Sequence, residues 1–336
     1  MRRVLLALLL AAMATSFAPA RRERLTVAPG ALRVGLVFDI GGRGDKSFND
    51  AAYAGLTRSQ RELGIDAQYL EPASSEDRES ALRLFAAQGL DLVVGVGFIF
   101  SSDVNAVARD YPTVRFACVD YAPMGRAIPQ NVVGIGFKEE EGSFLVGAVA
   151  GLLSKTHKVG FVGGMQMPLI ERFETGYKSG VASICASCDV LSAYAGASPE
   201  AFKDPAKGKA IALSQIGKGV DIIYHASGAT GRGVFEGARE GKALAIGVDS
   251  DQHDEMPGVV VTSMVKRVDV ALFELVRRLK AGQFESGMRL FGVRDGAIDF
   301  VREGPHASDL PRDVVGKVET LRKELVSGER KVDVTR

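Results

Sequence analysis

A glycine-rich stretch just ahead of a Lys-Ser pair is the first feature of this chain that could do chemistry. It reads VFDIGGRGDKSFNDAAYAG, from Val37 to Gly55, and it follows an apolar run. A phosphate-binding loop has the form G-x-x-x-x-G-K-[ST], in which backbone amides and the lysine surround the phosphates. Here Asp45 stands where a glycine is required, and a carboxylate at that place repels a phosphate. The stretch therefore favours an uncharged ligand over a nucleotide phosphate.

Three side chains of the same stretch suit a neutral polar ligand that has an aromatic face. Asp39 can accept hydrogen bonds from hydroxyl or amino groups, Asn49 can both donate and accept, and Phe48 offers a ring for stacking. A plainer interpretation is that Phe48 belongs to the core of the first helix and that Ser47 is its N-cap. The local residues alone favour that second interpretation for Phe48.

A second glycine motif and the overall composition exclude other classes of partner. In GATGRGVFEG the pair Gly231 and Gly233 is followed by Glu236, where a dinucleotide-binding fingerprint requires glycine. The 336 residues include 42 basic and 41 acidic ones, and neither sign gathers into a long block. We therefore expect no nucleic-acid partner and no binding to a membrane surface.

The N-terminus has the layout of a secretory signal peptide. Met1-Arg2-Arg3 leads into an apolar run that is too short to span a bilayer, and Ala18-Pro19-Ala20 offers small residues for cleavage. A membrane anchor or a buried helix is the alternative. We predict a signal peptide over residues 1–20, a linker over 21–31 and a periplasmic or otherwise extracytoplasmic protein. No cysteine lies near the predicted cleavage site, so the attachment point of bacterial lipoproteins is missing.

The elements that must position these residues alternate regularly along the chain. Eight apolar runs, rich in valine and isoleucine, are separated by segments of helical period such as 48–63, 77–88 and 143–153. Strands that are apolar on both faces and separated by helices predict an α/β fold with parallel sheets. Ligands of such sheets bind beyond the carboxyl ends of the strands. Distinctive residues collect at those ends: Asp39, Phe98, Asp120, Gly228 and Asp249.

Eight strands exceed what one compact lobe needs, so we predict two similar lobes with the chain crossing between them more than once. The first lobe is expected to comprise residues 32–136 and about 264–286. The second is expected to comprise residues 137–263 and about 287–325, followed by a tail over 326–336.

The three cysteines all follow the predicted signal peptide. Cys185 and Cys188 form a Cys-x-x-Cys pair that could be a disulfide outside the cytoplasm or two free thiols. A metal site would need two further ligands, and none of the four histidines is close in sequence. We therefore predict no metal site and no cofactor. Cys118 lies in an apolar run and is expected to be a small buried hydrophobe.

From about Arg33 to Phe300 the chain resembles the basic membrane protein family, or purine-nucleoside receptor A type, of substrate-binding proteins that serve ABC importers. The resemblance implies a two-lobed periplasmic-binding-protein fold of type I, with a purine nucleoside in the cleft between the lobes. It also implies capture by hinge closure, a membrane permease as partner, a monomer and no catalytic residue. The motifs that carry it are GDKSFNDAAYAG, FKEEEGSFLVGAVAGLLSKTHKVGFVGGM, PLIERFETGYKSGV, YAGASPEAFKDPAKGKAIA, GVDIIYHASGATGRGVFEGA, AIGVDSDQ and TSMVKRVD.

Carried over position by position, the resemblance gives eight residues a role at the ligand. Two rings would sandwich the base, three residues of the first lobe would make polar contacts, and three further residues would hold the ribose. Asp120 would read the edge of the base. In that order the residues are Phe48 and Phe202; Asp39, Asn49 and Asp120; and Gly228, Asp249 and Lys266.

Other interpretations of these residues stay open at this point. Phe202 could cap the apolar face of a helix, with Phe173 as the stacking ring instead. Asp120 and Asp249 could cap helices, and Lys266 could pair with Asp269 on a solvated helix. The loop SGATGRG is also less glycine-rich than in other members of the family, a departure that could alter the ribose contacts without changing the ligand class.

Two other functions compete with the importer. A sensor of the same fold would bind the same ligand but signal through a membrane kinase. A nucleoside hydrolase would need an aspartate cluster for calcium, for which the run DSDQHDE, Asp249 to Glu255, is the candidate.

Overall fold

The computed structural model describes residues 29–72, 77–123, 125 and 127–334. The chain divides into two units, residues 1–31 and Leu32–Arg336, and the described helices and strands all belong to the second. The predicted signal peptide, and the predicted linker up to residue 28, lie outside the described residues.

The second unit alternates strands and helices along most of its length. The helices are α1 (Phe48–Leu63), α2 (Asp77–Ala87), α3 (Ser101–Asp110), α4 (Glu139–Leu153), α5 (Pro168–Ile184), α6 (Pro205–Ile216), α7 (Gly231–Glu240), α8 (Val268–Lys280) and α9 (Arg312–Ser327). The strands are β1 (Arg33–Val37), β2 (Asp66–Leu70), β3 (Leu92–Val96), β4 (Arg115–Val119), β5 (Val132–Phe137), β6 (Lys158–Met165), β7 (Asp189–Gly196), β8 (Ile222–Ala226), β9 (Leu244–Asp249), β10 (Val260–Lys266), β11 (Gly287–Phe291) and β12 (Ile298–Phe300).

The strands form two six-stranded sheets, which confirms the predicted α/β fold with two lobes. The first sheet has the order β11-β5-β4-β3-β1-β2, and its strand pairs are all parallel. The second has the order β12-β10-β9-β8-β6-β7, in which only the pair β10 and β12 is antiparallel. Helices connect most successive parallel strands, whereas β4 joins β5 through a loop and β9 joins β10 through the short 3-10 helix His253–Glu255.

The eight predicted strands are the eight interior strands, and the four that the apolar pattern missed are all at sheet edges. The missed strands are β2, β7, β11 and β12. An edge strand has a neighbour on one side only, so its residues are more exposed and its sequence need not be continuously apolar. In β11, for example, exposed residues alternate with half-buried ones.

The missed strand β11 also changes the predicted lobe boundaries. Gly287–Phe291 pairs with β5 in the first sheet, so the assignment of residues 287–291 to the second lobe is wrong. Residues 264–266 end β10 in the second sheet, so they do not belong to the first lobe. The chain therefore passes from one sheet to the other after β5, after β10 and after β11.

The core of the second lobe depends on a close contact between α4 and α5. A Cβ at Gly147 of α4 would lie 2.2 Å from the carbonyl oxygen of Tyr177 on α5. In return, a Cβ at Gly180 of α5 would lie 2.0 Å from the carbonyl oxygen of Phe144. Real Cβ atoms do not approach backbone oxygens so closely, so glycine is what lets these two helix backbones meet.

We expect Gly147→Ala to lower the free energy of unfolding by about 1–3 kcal/mol, because the methyl group forces the helices apart. The matched control is Gly316→Ala in α9, where no atom lies within 4 Å of the added Cβ. That change should stabilise the protein by about 0.4–1 kcal/mol, because alanine has a higher helix propensity than glycine and restricts the unfolded chain more. Urea unfolding of both variants measures the difference, and equal stabilities would show that the two helix backbones are not in contact.

Candidate functional site

A cavity lies between the carboxyl ends of the two sheets. Its walls come from both lobes, and all eight predicted ligand-binding residues line it. From the first lobe these are Asp39, Phe48, Asn49 and Asp120, and from the second Phe202, Gly228, Asp249 and Lys266. The cavity also has an apolar wall from α5, with Leu169, Ile170 and Phe173, and a further ring from Phe98.

The sheet topology explains why residues so distant in sequence meet here. Asp120 directly follows β4, while Asp249 and Lys266 are the last residues of β9 and β10. Asp120 and Asp249 have φ values of 57° and 67°, in the left-handed region that non-glycine residues rarely adopt. Such conformations cost on the order of 1 kcal/mol each and occur most often at functional sites. The backbone thus accepts some strain where these two carboxylates enter the cavity wall.

Asp45, which breaks the phosphate-loop motif, caps helix α1. Its carboxylate accepts hydrogen bonds from the backbone N–H groups of Ser47, Asn49 and Asp50 at 3.0, 2.8 and 3.1 Å. A phosphate loop would offer amides at this helix start to the ligand. Here the chain's own carboxylate occupies them, and burial raises its pKa. The first helix is therefore closed to an anionic ligand.

The N-terminal cap of α1 differs from the sequence prediction. Ser47 precedes the helix, but its hydroxyl makes no capping hydrogen bond. Instead the hydroxyl donates to the Asp249 carboxylate of the second lobe. Ser47 therefore occupies the predicted N-cap position, but Asp45 supplies the capping hydrogen bonds and leaves the Ser47 side chain to bridge the lobes.

Asn49 holds other wall residues in place. Its Oδ1 accepts from the Asp39 backbone N–H at 3.1 Å, and its Nδ2 donates to Asp45 Oδ2, also at 3.1 Å. These contacts use the acceptor oxygen and one of the two amide protons. Asn49 thus fixes the loop that carries Asp39, with one N–H left to face the cavity.

Lys266 is the one lysine among the described residues that line the cavity, and its ammonium group lies between carboxylates of both lobes. Its side chain is 2% exposed, and Nζ lies 2.7 Å from Asp120 Oδ2 and 3.2 Å from Glu139 Oε1. Burial lowers the pKa of Lys266, but the neighbouring carboxylates outweigh burial and raise it overall. The alternative pairing of Lys266 with Asp269 is wrong, because Asp269 accepts from Arg267 instead.

Glu139, the first residue of α4, was not identified from the sequence as a site residue. Besides Lys266 it faces Arg172, whose Nη2 lies 2.9 Å from its Oε2. Neither contact has hydrogen-bond geometry, so both Glu139 oxygens stay without a hydrogen-bond partner among the described residues. Burial raises the pKa of Glu139 to about 7, against the opposing effect of Lys266 and Arg172.

Two carboxyl groups that line the cavity directly also have raised pKa values. Burial raises the pKa of Asp39 to about 7, although the N–H of Ile40 and the charge of Arg78 oppose it. Burial also raises the pKa of Asp249 to about 6. Carboxyl groups that titrate near neutral pH can donate as well as accept a hydrogen bond. The wall carries more acidic than basic groups, which suits a neutral or cationic ligand with several donors.

The aromatic side of the cavity is shaped by glycines as well as by rings. Phe202 ends a short 3-10 helix, Pro199–Phe202, and lies half-buried against β6. A Cβ at Gly164 of β6 would lie 2.3 Å from Phe202 Cε1, so only glycine leaves room for this ring. Phe173 is buried, with its ring 5.6 Å from Lys266 Nζ, while the Phe48 ring lies 5.1 Å from it. Four phenylalanine rings therefore border the cavity, and two of them, Phe48 and Phe173, lie near the Lys266 ammonium group.

The two lobes touch at the edge of the cavity through a second set of hydrogen bonds. Ser250 Oγ and Gln252 Nε2 both donate to the backbone oxygen of Lys46, at 2.8 and 3.1 Å. Together with Ser47–Asp249 and Lys266–Asp120, these contacts join the first lobe to the second. The structure therefore represents a closed arrangement of the lobes.

The comparisons with known proteins agree with this architecture. Residues 32–334 match the family model described as ABC transporter substrate-binding protein PnrA-like. The chain belongs to that family.

Relatives of this PnrA-like family resemble the chain over most of its length. A Listeria monocytogenes protein named CD4+ T-cell-stimulating antigen is 38% identical over 89% of this chain and 87% of its own. The Lactococcus lactis protein named ABC transporter nucleoside-binding protein BmpA is 31% identical over 86% of each chain. A crystal structure of an ABC transporter solute-binding protein from Aeropyrum pernix is 30% identical, with a TM-score of 0.80 over 91% of this chain and 94% of that one.

Substrate-binding proteins of this PnrA-like family act outside the cytoplasm and deliver small molecules to a membrane permease. Among the residues described for this chain, no helix has the length and apolarity needed to cross a bilayer. A two-lobed chain with a closed cavity between its sheets fits such a carrier.

Two remaining sequence features lie away from the cavity of this PnrA-like protein. The structure joins Cys185 and Cys188 in a disulfide, whereas Cys118 is a buried free thiol, as expected. Of the run Asp249–Glu255, considered as a calcium cluster for a hydrolase, only Asp249 lines the cavity. The run therefore does not gather its carboxylates around the ligand space.

The raised pKa of Asp39 predicts a specific pH dependence of stability. Between its ordinary value of 3.8 and about 7 the folded protein keeps a proton that the unfolded chain has lost. The stability that this group contributes is therefore lost as the pH rises through that range. Asp39→Asn cannot ionise, so it should gain stability relative to the wild type from pH 4 to pH 8, on the order of 2–4 kcal/mol.

The control for this prediction is Asp189→Asn, which changes an exposed carboxylate on β7 that is solvated in both states. Urea unfolding at several pH values should give parallel curves for the wild type and this control. If the Asp39→Asn curve is parallel to them as well, the carboxyl group of Asp39 is solvated in the folded protein and its pKa is not raised.

Proposed function

We propose that this protein captures a purine nucleoside outside the cytoplasm, by closing its two lobes over it, and delivers it to the permease of an ABC importer. The observation that carries the proposal is the composition of the cavity wall. Aromatic rings from both lobes border a space in which carboxyl groups outnumber the single lysine among the described lining residues. A flat base can stack on the rings, while the ribose hydroxyls and the base N–H groups can donate to the carboxylates.

The charge of the cavity supports this class of ligand. A phosphate group would meet Asp39, Asp120 and Asp249 with one lysine to compensate, and the amides at the start of α1 are already occupied by Asp45. The wall therefore disfavours nucleotides and favours nucleosides.

Polar atoms of the wall that lack hydrogen-bond partners indicate which hydrogen-bonding groups the ligand must supply. Asp120 Oδ1 is buried and has no hydrogen-bond partner among the described residues. An unsatisfied buried acceptor costs about 1–3 kcal/mol, which a ligand donor at this place would recover. Asp120 is thus the acceptor for an N–H on the edge of the base. Lys266 donates to Asp120 and lies beside Glu139, and an N–H of its ammonium group remains for a ribose oxygen.

The other residues that line the cavity also contact either the base or the ribose. Phe48 and Phe202 stack on the two faces of the base, and Phe173 packs beside them. Asp249, held by the Ser47 hydroxyl, accepts from ribose hydroxyls, and Gly228 lets the backbone approach the sugar because its φ of 54° suits glycine. Asp39, positioned by Asn49, accepts a further donor from the ligand.

Two further features complete the proposal. The proposed carrier acts as a monomer, as the resemblance to the family implies. The nucleoside part of the proposal is supported by the name of the Lactococcus lactis relative, an ABC transporter nucleoside-binding protein. Residues 1–20 direct export, which places the protein where an importer collects its substrate.

We expect Phe202→Ala to weaken nucleoside binding by about 1–3 kcal/mol, or roughly 5- to 150-fold, because it removes one stacking face. The matched control is Phe273→Ala on α8, a half-buried phenylalanine outside the cavity whose ring is covered by Arg58. Isothermal titration calorimetry with inosine, adenosine and guanosine measures both variants.

An unchanged affinity in Phe202→Ala, or an equal loss in Phe273→Ala, would contradict the stacking role. The same samples, incubated with inosine and analysed for free base, test the carrier function. We expect no release of base, whereas catalytic release would show an enzyme instead of a binding protein.

A further inference from the structure

Two histidines from distant parts of the second lobe stack on each other outside the cavity. The ring centroids of His253 and His306 are 4.0 Å apart, with an angle of 16° between the ring planes. His253 lies in the loop after β9, and His306 precedes the short 3-10 helix Ala307–Asp309. Three aspartates surround the pair, and together these residues form what we call the histidine cluster: Asp251, His253, Asp254, His306 and Asp309.

In the histidine cluster each imidazole turns the same nitrogen toward a carboxylate. His306 Nδ1 lies 2.7 Å from Asp251 Oδ2, and His253 Nδ1 lies 2.6 Å from Asp309 Oδ2. The first contact is a hydrogen bond, whereas the second is close but not aligned as one. A carboxylate at one ring nitrogen fixes the tautomer and makes the other nitrogen a better metal ligand. Both rings therefore keep Nε2 for another partner.

A third ligand lies beside the free nitrogen of His306. Asp254 Oδ1 is 3.3 Å from His306 Nε2, and its side chain is 83% exposed and so free to adjust. One ligand atom from each of His253, Asp254 and His306 lies within 4.8 Å of the others. Atoms bound to one zinc ion at about 2.0–2.2 Å lie at most about 4.4 Å apart, and an imidazole lone pair lies in the plane of its ring. The two stacked rings must therefore rotate out of their near-parallel arrangement before both Nε2 atoms can bind one ion.

We propose that His253, His306 and Asp254 bind one divalent ion of the zinc class, with Asp251 and Asp309 positioning the two imidazoles. Imidazole and carboxylate are a ligand set that suits Zn²⁺, and solvent would fill the fourth position. The surrounding carboxylates compensate the charge of the ion. The proposal does not depend on which ligand the cavity binds, since no member of the histidine cluster is among the described residues that line the cavity.

The histidine cluster lies beside the contact between the two lobes, so an ion bound there would affect that contact. Asp251 and Asp254 line a groove that the first lobe borders with Lys46 and Asp50. The same loop carries Ser250 and Gln252, which donate to the backbone oxygen of Lys46. A bound ion ties the turn at His306 to the loop that contacts the first lobe.

The chain offers an internal control for the proposed site. His157 lies near Cys185 and Cys188, a second group with ligand atoms close enough for a metal. Because the two sulfur atoms are joined in a disulfide, they are not thiolates and do not bind zinc in the oxidised protein. His157→Ala should therefore leave zinc binding unchanged under non-reducing conditions.

The test is a zinc titration of the tag-free, oxidised protein, by calorimetry and by metal analysis after dialysis. We expect one Zn²⁺ per chain, with loss of binding in the double variant His253→Ala/His306→Ala. Asp309→Asn should weaken zinc binding by about 10- to 100-fold, as loss of an outer carboxylate typically does. Asp254→Asn should weaken it as well, and because this side chain is exposed its loss does not threaten the fold.

Circular dichroism checks the fold of each variant, and Asp254→Asn decides the question if the histidine variants do not fold. Absence of zinc binding in the wild type would overturn the proposal. It would also be overturned if stoichiometric binding survived in Asp254→Asn with unchanged affinity, or disappeared in His157→Ala.

Discussion

The buried ammonium group of Lys266 is the interaction on which the rest of the site depends. It ends β10 in the second sheet, and it lies against Asp120 at the end of β4 in the first sheet and against Glu139 at the start of α4. Removing one partner of such a buried ionic group typically costs about 3–5 kcal/mol, because the others are left uncompensated. The charge network therefore fixes the ends of these three elements relative to one another, and with them the distance between the lobes. Among the described lining residues it also provides the only ammonium group, in a wall that is otherwise acidic or neutral.

The charged groups around Lys266 also influence which ligands the cavity can bind. Three carboxyl groups in or next to the wall have pKa values of about 6 to 7, so they can adapt their protonation to the ligand's donors, which a fixed charge cannot do. The Asp45 carboxylate meanwhile accepts hydrogen bonds from the backbone N–H groups at the start of α1, so the glycine-rich loop does not offer these groups to a phosphate. The proposed specificity for a neutral nucleoside would thus depend as much on repulsion of anions as on attraction of the nucleoside.

Much of the fold could be predicted from the sequence, and the exceptions have a common physical cause. Interior strands such as β3 and β5 are buried on both faces and leave continuous apolar runs, whereas edge strands such as β11 leave none. The cavity residues were found because they follow interior strands or belong to recognisable motifs. Contacts between distant segments left no local signal: Ser47 is 202 residues from Asp249, and His306 is 55 residues from Asp251. The histidine cluster therefore leaves only an acidic run with one histidine in the sequence, and the fold brings the second histidine to it.

The central claim is that the cavity binds a neutral nucleoside and rejects the same molecule once it carries a phosphate. A pair of calorimetric titrations, with inosine and with inosine 5′-monophosphate at neutral pH, tests it with a single chemical difference. We expect inosine to bind one to one and the monophosphate to bind at least about 100-fold more weakly, because like charges in a closed site cost several kcal/mol. Equal or tighter binding of the monophosphate would contradict the claim.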